Sequence, residues 1–288
     1  MSMPNLFIVG APKAGTSFLY HKLKSHPELF FPKVKELNHF SQQEIDALDS
    51  YYKDYKIRDR KKYLNFCKPP YETKYAVDAS VSYFAFEEVP YKIHAFNPEA
   101  KILIVIRNPI KRAHSHFLMD ERMGYAKETL SSYIGDKAKN SPHFHQYINN
   151  SLYYKNIKNY QKVFGKEAVK IMLLEEIDQE LPELFKFLNI ADHFDEIDTS
   201  ERVNENKKPK NILSKMLQNN RNLTSKLKLI IPERIVKKYN GLLYEKAEKQ
   251  VLSTSDYQML QEILIGDVEK LETLLGRDLK SVWNINRS

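Results

Sequence analysis

Four short apolar runs constrain this chain more than anything else in it: Leu6–Val9, Tyr75–Val77, Ile102–Ile106 and Val169–Leu174. They are rich in Val, Ile and Leu and show little polar alternation, so they suit strands covered on both faces, as in a parallel sheet. Helical spacing separates them. Phe18, Leu19 and Leu23 share one face of a helix expected to begin near Gly15, and Ala113–Met123 predicts another, entered through Pro109. Tyr153–Val163 and Pro182–Leu188 carry the same spacing, and Asp256–Leu275 closes on Gly276, a plausible helix cap. Strands alternating with helices predict an α/β fold around a mostly parallel sheet.

The 288 residues contain 42% apolar residues, enough for a sizeable core. There is no internal repeat, low-complexity segment or Gly/Ser linker, so one domain spanning 1–288 is expected. Cys67 is the single cysteine, which excludes an intrachain disulfide and a cysteine-based zinc cluster. No leader-like opening and no membrane-length apolar run are present, so a soluble, cytoplasmic protein is expected. Forty-five basic against 37 acidic residues leave a net charge of +8. That balance favours an anionic partner: nucleic acid, phosphorylated cofactor, acidic glycan or membrane surface. The stretch from Lys207 to Lys238 is especially basic, with Glu233 its only acidic residue.

The first apolar run leads into Gly10-Ala11-Pro12-Lys13-Ala14-Gly15-Thr16-Ser17. A strand, a tight turn and a helix start form an anion site, because the first helical N–H groups lack partners and the helix dipole favours negative charge. The loop differs from a nucleoside triphosphatase loop, which needs lysine directly before its Ser/Thr. Thr16 occupies that slot, and the lysine stands three positions earlier, at Lys13. Asp78 is the best candidate for a magnesium partner, and it stands alone. The loop therefore suits one 5′-phosphate without a metal-bridged triphosphate, with Lys13 near the bond beyond it. A second anion grip follows Ile102–Ile106: Arg107-Asn108-Pro109 begins a helix that carries Ser115. Arg107 offers a fixed fork of donors and Ser115 a hydroxyl.

Pro12 to Ser17 resembles the 5′-phosphosulfate loop of sulfotransferases that use 3′-phosphoadenosine 5′-phosphosulfate (PAPS). The Arg107-Asn108-Pro109 segment, followed by Arg112-Ala113, Ser115 and Phe117, resembles that family's 3′-phosphate motif. Val77–Tyr83 looks like its substrate-side strand and turn, Leu173–Ile177 like a later strand and turn, and Leu274–Leu279 with Trp283 like its ending. The resemblance implies a P-loop-like three-layer fold, PAPS as co-substrate, adenosine 3′,5′-bisphosphate as product, and no required metal. It implies nucleotide contacts from Pro12, Lys13, Ala14, Gly15, Thr16, Ser17, Arg107 and Ser115. It also implies a basic cofactor loop at Lys207, Lys208, Lys210 and Asn211, with Lys210 where relatives commonly carry arginine.

Sulfuryl transfer needs a base for the acceptor. Pro32 to Phe40 offers Glu36 and His39. Its Lys-Glu…Phe arrangement is similar to the glycan-sulfating, heparan sulfate sulfotransferase-like branch, which implies Glu36 as base and a sugar hydroxyl, or less readily an amine, as acceptor. His39 is the runner-up base, paired with a small phenol, alcohol or lipid-linked acceptor. His39, Ser80 and Tyr83 are the acceptor-side candidates. Lys13 would stabilise charge on the oxygen bridging phosphorus and sulfur. The basic 207–238 stretch is a candidate for a membrane surface or anionic glycan. Among other classes, a P-loop nucleotide kinase lacks its lysine, a nucleic-acid binder lacks interleaved aromatics in its basic run, and an inactive binding module is disfavoured by Lys13, Glu36, Arg107 and Ser115 together.

Overall fold

The computed structural model describes residues 3–48, 51, 56–192, 207–209, 244–246 and 250–285, with the backbone alone at 207–209 and 244–246. In chain order the elements are β1 (Leu6–Gly10), α1 (Thr16–Leu23), β2 (Leu29–Phe30), α2 (Gln42–Ala47), α3 (Arg60–Cys67), β3 (Tyr75–Asp78), α4 (Val89–Phe96), β4 (Lys101–Ile106) and α5 (Pro109–Met123). There follow α6 (Leu130–Ile134), α7 (Pro142–Tyr147), α8 (Tyr153–Phe164), β5 (Val169–Leu173), α9 (Ile177–Leu188), β6 (Lys207–Pro209), β7 (Tyr244–Lys246), α10 (Thr254–Leu275) and α11 (Leu279–Trp283). Short 3-10 turns at Val81–Tyr83 and Leu174–Glu176 follow β3 and β5.

Five strands form one sheet in the order β2-β3-β1-β4-β5, every pair parallel. The side chains of the central strands alternate strictly between two cores. Phe7, Val9, Ile102, Ile104 and Ile106 pack with α4, α5, α8 and α10 on one face. Leu6, Ile8, Leu103 and Val105 pack with α1 and α9 on the other. Leu6, Phe7, Ile8 and Val9 are all 0% exposed, and each contributes on the order of 1.5–3 kcal/mol by leaving water. This double burial is why the strands show no polar alternation.

The four expected strands all form. β2 is additional, because two residues flanked by loop give no periodic signal. α5 begins at Pro109, four residues before the expected start. Asn108 accepts the Lys111 N–H at 3.0 Å and Pro109 supplies the preset first turn. α9 begins at Ile177 and carries Pro182 inside it, because Ile177, Leu181, Leu184, Phe185 and Leu188 make one buried stripe.

The chain leaves β1 toward β3 and leaves β4 toward β5, so the strand order reverses between β1 and β4. Ligands of open α/β sheets bind at that crevice, outside the carboxyl ends of the strands. Both sequence-predicted anion sites begin there.

Candidate active site

β1 pairs with β4 up to Gly10 opposite Ile104, after a register shift beyond Ile8. The chain then peels away as a loop. Ala11 N–H donates to the Val105 carbonyl at 2.6 Å, and Ala14 N–H donates to the Ala11 carbonyl at 3.1 Å. Lys13 (φ 64°) and Gly15 (φ 91°) both take left-handed backbone conformations. At Gly15, which precedes α1, a Cβ would lie 2.3 Å from Leu174 Cδ1, and the φ of 91° strains any residue that carries one. Thr16 is buried, and Ser17 Oγ accepts from Lys35 Nζ at 2.9 Å.

The Lys13 ammonium points along α5, where Met119 Sδ lies 3.6 Å away. Burial, then the charges of Arg122, Arg107 and Arg112, push its pKa down to about 8, with Asp120 opposing. It is a cation held among cations, ready for an anion.

Arg107 leaves the end of β4 and donates from Nη1 to the Lys13 carbonyl at 3.1 Å. The two anion motifs are thus physically joined. Its Nε is buried without a hydrogen-bond partner. Such an orphaned donor is costly unless an acceptor arrives. A phosphate oxygen supplies one, so the residues present fit a nucleotide phosphate. Burial lowers the Arg107 pKa, with Tyr153 and Glu175 opposing. Ser115 is half-buried within α5. Asn108 braces this corner: its backbone N–H donates to Glu175 Oε1 at 3.0 Å, and its Nδ2 donates to the Trp283 carbonyl at 2.8 Å. Trp283 Nε1 donates to Glu175 Oε2 at 3.2 Å, closing a three-residue clamp between β4, β5 and α11.

The candidate base lies on the segment between β2 and α2. Glu36 (φ 66°) and Asn38 (φ 50°) are both left-handed, which costs a non-glycine residue about 1–3 kcal/mol and needs outside support. The support comes from beneath. Asn38 N–H donates to Ser80 Oγ at 3.1 Å, and Asn38 Oδ1 accepts from Ser82 Oγ at 2.6 Å. Tyr83 OH accepts from the N–H groups of His39 at 2.9 Å and Phe40 at 3.4 Å. All of this is anchored on Asp78, which is 0% exposed and accepts from Tyr63 OH at 2.8 Å, Tyr83 OH at 2.8 Å and Ser80 Oγ at 2.6 Å. Burial raises the Asp78 pKa against the pull of those three donors.

Glu36 keeps 37% of its side-chain surface exposed, and its carboxylate lies 3.9 Å from Lys35 Nζ. Lys35 therefore bridges the base candidate and Ser17 of the nucleotide loop. His39 stacks on Tyr63 with ring centroids 4.2 Å apart, and its Nδ1 lies 2.6 Å from the Ile57 carbonyl. A carbonyl only accepts, so Nδ1 is the donor in this contact.

The structure revises the acceptor-side expectation at two residues. Ser80 and Tyr83 are 0% exposed, so they do not face an acceptor; their hydroxyls are spent on Asp78 and the base segment. Asp78 is withdrawn from any metal, as the sequence reading expected, because its carboxylate is buried and accepts from three hydroxyl donors. Of the basic cofactor loop, Lys207 and Lys208 lie on β6, which pairs antiparallel with β7. Lys210 and Asn211 lie outside the described residues, as does nearly all of the 207–238 stretch. Among the described residues no group of three or more His, Cys, Asp or Glu side chains could hold a metal ion. No described helix is long and apolar enough to cross a membrane. Sequence reasoning missed the Asp78 network, since its partners come from distant segments.

The family model for the sulfotransferase domain matches residues 3–229. Carbohydrate sulfotransferase 15 of Mus musculus is 25% identical over 247 residues, covering 66% of this chain and 44% of that protein. Heparan sulfate glucosamine 3-O-sulfotransferase 5 of Mus musculus is 29% identical over 198 residues, covering 65% of this chain and 54% of that protein. The chain therefore spans about half the length of the curated relatives it matches. A sulfotransferase crystal structure from Alicyclobacillus acidocaldarius superposes with a TM-score of 0.72 at 23% identity, covering 98% of this chain and 99% of that one. That likeness shows a shared fold.

Proposed function

Because this chain belongs to the sulfotransferase domain family, we propose that it transfers the sulfuryl group of PAPS to a hydroxyl of a carbohydrate acceptor, with Glu36 as base. The observation that carries this reading is the junction of the two anion sites. Arg107 Nη1 holds the Lys13 carbonyl at 3.1 Å while its buried Nε lacks an acceptor. A ligand with phosphates at both ends of one nucleotide satisfies both sites at once. Pro12 to Ser17 would hold the 5′-phosphosulfate. Arg107 and Ser115 would hold the 3′-phosphate, with Lys207, Lys208, Lys210 and Asn211 covering it. PAPS supplies an activated sulfuryl group, linked to phosphate through one bridging oxygen.

Each protein group then has one task. Glu36 accepts the proton of the acceptor hydroxyl as its oxygen bonds to sulfur. Lys13 meets the negative charge left on the bridging oxygen as its bond to sulfur breaks. That charge is absent in the ground state, so the ammonium favours the transition state. Lys35, between Ser17 and Glu36, keeps the base segment in register with the nucleotide loop. The carbohydrate acceptor rests on what the names of the two murine relatives say those proteins act on. The domain would span 1–288.

A second reading makes His39 the base, with a small phenol, alcohol or lipid-linked acceptor. It is favoured by the Nδ1 contact with Ile57, which spends Nδ1 and leaves Nε2 outside that contact. An acceptor screen with isotopically labelled PAPS, read by mass, tests both. Glu36→Gln should lose at least ~100-fold in turnover with nucleotide affinity kept, the lower end of the range for a positioned general base. Loss confined to His39→Gln transfers the role to His39.

A further inference from the structure

We propose that Arg112 is a positioning residue for Lys13: it fixes the peptide between Pro12 and Lys13, and ties that peptide to the 146–151 segment. The inference rests on the catalytic role of Lys13 given above.

Arg112 is the fourth residue of α5 and is 0% exposed. Its guanidinium is spread over separate parts of the chain. Nη1 donates to the Pro12 carbonyl at 3.4 Å and lies 3.3 Å from His116 Nδ1. Nη2 donates to the carbonyls of Gln146 at 2.6 Å and Tyr147 at 2.9 Å. Nε donates to Ser151 Oγ at 2.6 Å, and Ser151 donates onward to the Tyr147 carbonyl at 2.7 Å.

The consequence for Lys13 follows from peptide geometry. A trans peptide points its carbonyl and the next N–H in opposite directions. Holding the Pro12 carbonyl turns the Lys13 N–H away from Arg112. Arg107 holds the next carbonyl, that of Lys13 itself, at 3.1 Å. The two guanidiniums therefore reach both carbonyls flanking the Lys13 Cα, Arg107 at 3.1 Å and Arg112 at a longer 3.4 Å, and Lys13 stands there in the left-handed region at φ 64°. Backbone and Cα orientation together set where the ammonium points. A residue needed only to fill the core would serve better as an apolar side chain, since burying a guanidinium is costly. Lysine cannot copy the span, because its single nitrogen cannot reach acceptors spread over Pro12, Gln146, Tyr147 and Ser151 at once.

The test is a double-mutant cycle on the full-length enzyme with Arg112→Lys and Lys13→Ala. Single-turnover sulfuryl transfer gives the rate, and titration with adenosine 3′,5′-bisphosphate gives nucleotide affinity. Circular dichroism confirms folding. Arg112→Lys should lose roughly 30–100-fold in rate, in line with a small misplacement of a catalytic group, with affinity changed less than about 3-fold. In the Lys13→Ala background the same change should cost almost nothing further. Ser151→Ala, which removes one brace and leaves the guanidinium, should lose rate in the same pattern to a smaller extent, and serves if Arg112→Lys does not fold. Additive losses in the cycle, or equal losses of rate and affinity, overturn the proposal while leaving the transfer reading intact. Unchanged transfer by Ser151→Ala also counts against it. If the unaltered enzyme transfers nothing from PAPS, the underlying reading fails, and the proposal with it.

Discussion

Replacing Tyr83 with phenylalanine removes one hydroxyl and keeps the ring, so it isolates the network beneath the base segment. That hydroxyl donates to Asp78 Oδ2 at 2.8 Å and accepts from the His39 N–H at 2.9 Å and the Phe40 N–H at 3.4 Å. A hydrogen bond to a charged group is worth about 1.5–3 kcal/mol, and a backbone donor left unpaired costs about 1–3 kcal/mol. Counting Asp78 and His39 and discounting the long Phe40 contact, Tyr83→Phe should destabilise by about 3–5 kcal/mol. At about 2–4 °C per kcal/mol for a domain of this size, the melting temperature should fall by roughly 6–20 °C. The loss should depend on pH. Burial raises the Asp78 pKa, so the folded state binds that proton more tightly than the unfolded chain does. The carboxyl's favourable contribution is full below its unfolded value and is lost as pH rises through the folded value. Once Asp78 is protonated it needs the tyrosine donor less, so Tyr83→Phe should cost less in acid than at neutrality. Thermal melts from acidic to neutral pH, with transfer rates in parallel, measure both. A melting temperature within about 2 °C of wild type, or a penalty that grows on acidification, would refute the view that Tyr83 secures the base segment through Asp78.

Three further outcomes follow from the same geometry. Lys13 has its pKa pushed down to about 8, chiefly by burial, so kcat/KM should fall as pH rises above about 8, and Lys13→Arg should remove that alkaline limb from whatever activity it retains. For stability the sign is opposite: the unfolded chain holds the Lys13 proton more tightly, so this group's contribution improves between about 8 and its ordinary lysine value. Gly15→Ala should weaken binding of adenosine 3′,5′-bisphosphate at least ~10-fold by calorimetry, because its Cβ meets Leu174 Cδ1 at 2.3 Å at a φ of 91° that L-residues resist; wild-type affinity would mean the loop does not hold the nucleotide. Glu175→Gln should lower the melting temperature by a few degrees, as it weakens the acceptor shared by Asn108 and Trp283; an unchanged melt would show that the clamp contributes nothing.

The fold was legible where burial on both faces leaves its mark on every residue, as at Leu6–Val9 and Ile102–Ile106. β2 was not, because two residues cannot display a period. The two candidate anion sites were legible because their signals are local: the glycine, lysine and hydroxyls of 10–17 lie on one turn, and Arg107 lies at a strand end. The base side was harder. Tyr63, Asp78, Ser80, Ser82 and Tyr83 meet the 36–40 segment only after the chain has folded, and a lone Asp or Tyr carries no mark of its partner. Hence Ser80 and Tyr83 suggested acceptor contacts, whereas both lie underneath the site. Arg112 shows no partner in its own stretch of sequence, since its acceptors at Pro12, Gln146, Tyr147 and Ser151 are scattered along the chain.

The central claim is that one crevice, between the ends of β1 and β4, holds a nucleotide by two separate phosphates without metal. Calorimetric titration of adenosine 3′,5′-bisphosphate and of ADP, each with and without magnesium and chelator, tests it most directly. The bisphosphate should bind at least ~100-fold tighter than ADP, since only it reaches Arg107 and each charge-assisted contact is worth about 1.5–3 kcal/mol. Arg107→Ala should erase that preference, and magnesium should not matter. Equal affinity for the two nucleotides, or binding that requires magnesium, would contradict the sulfotransferase reading of the site.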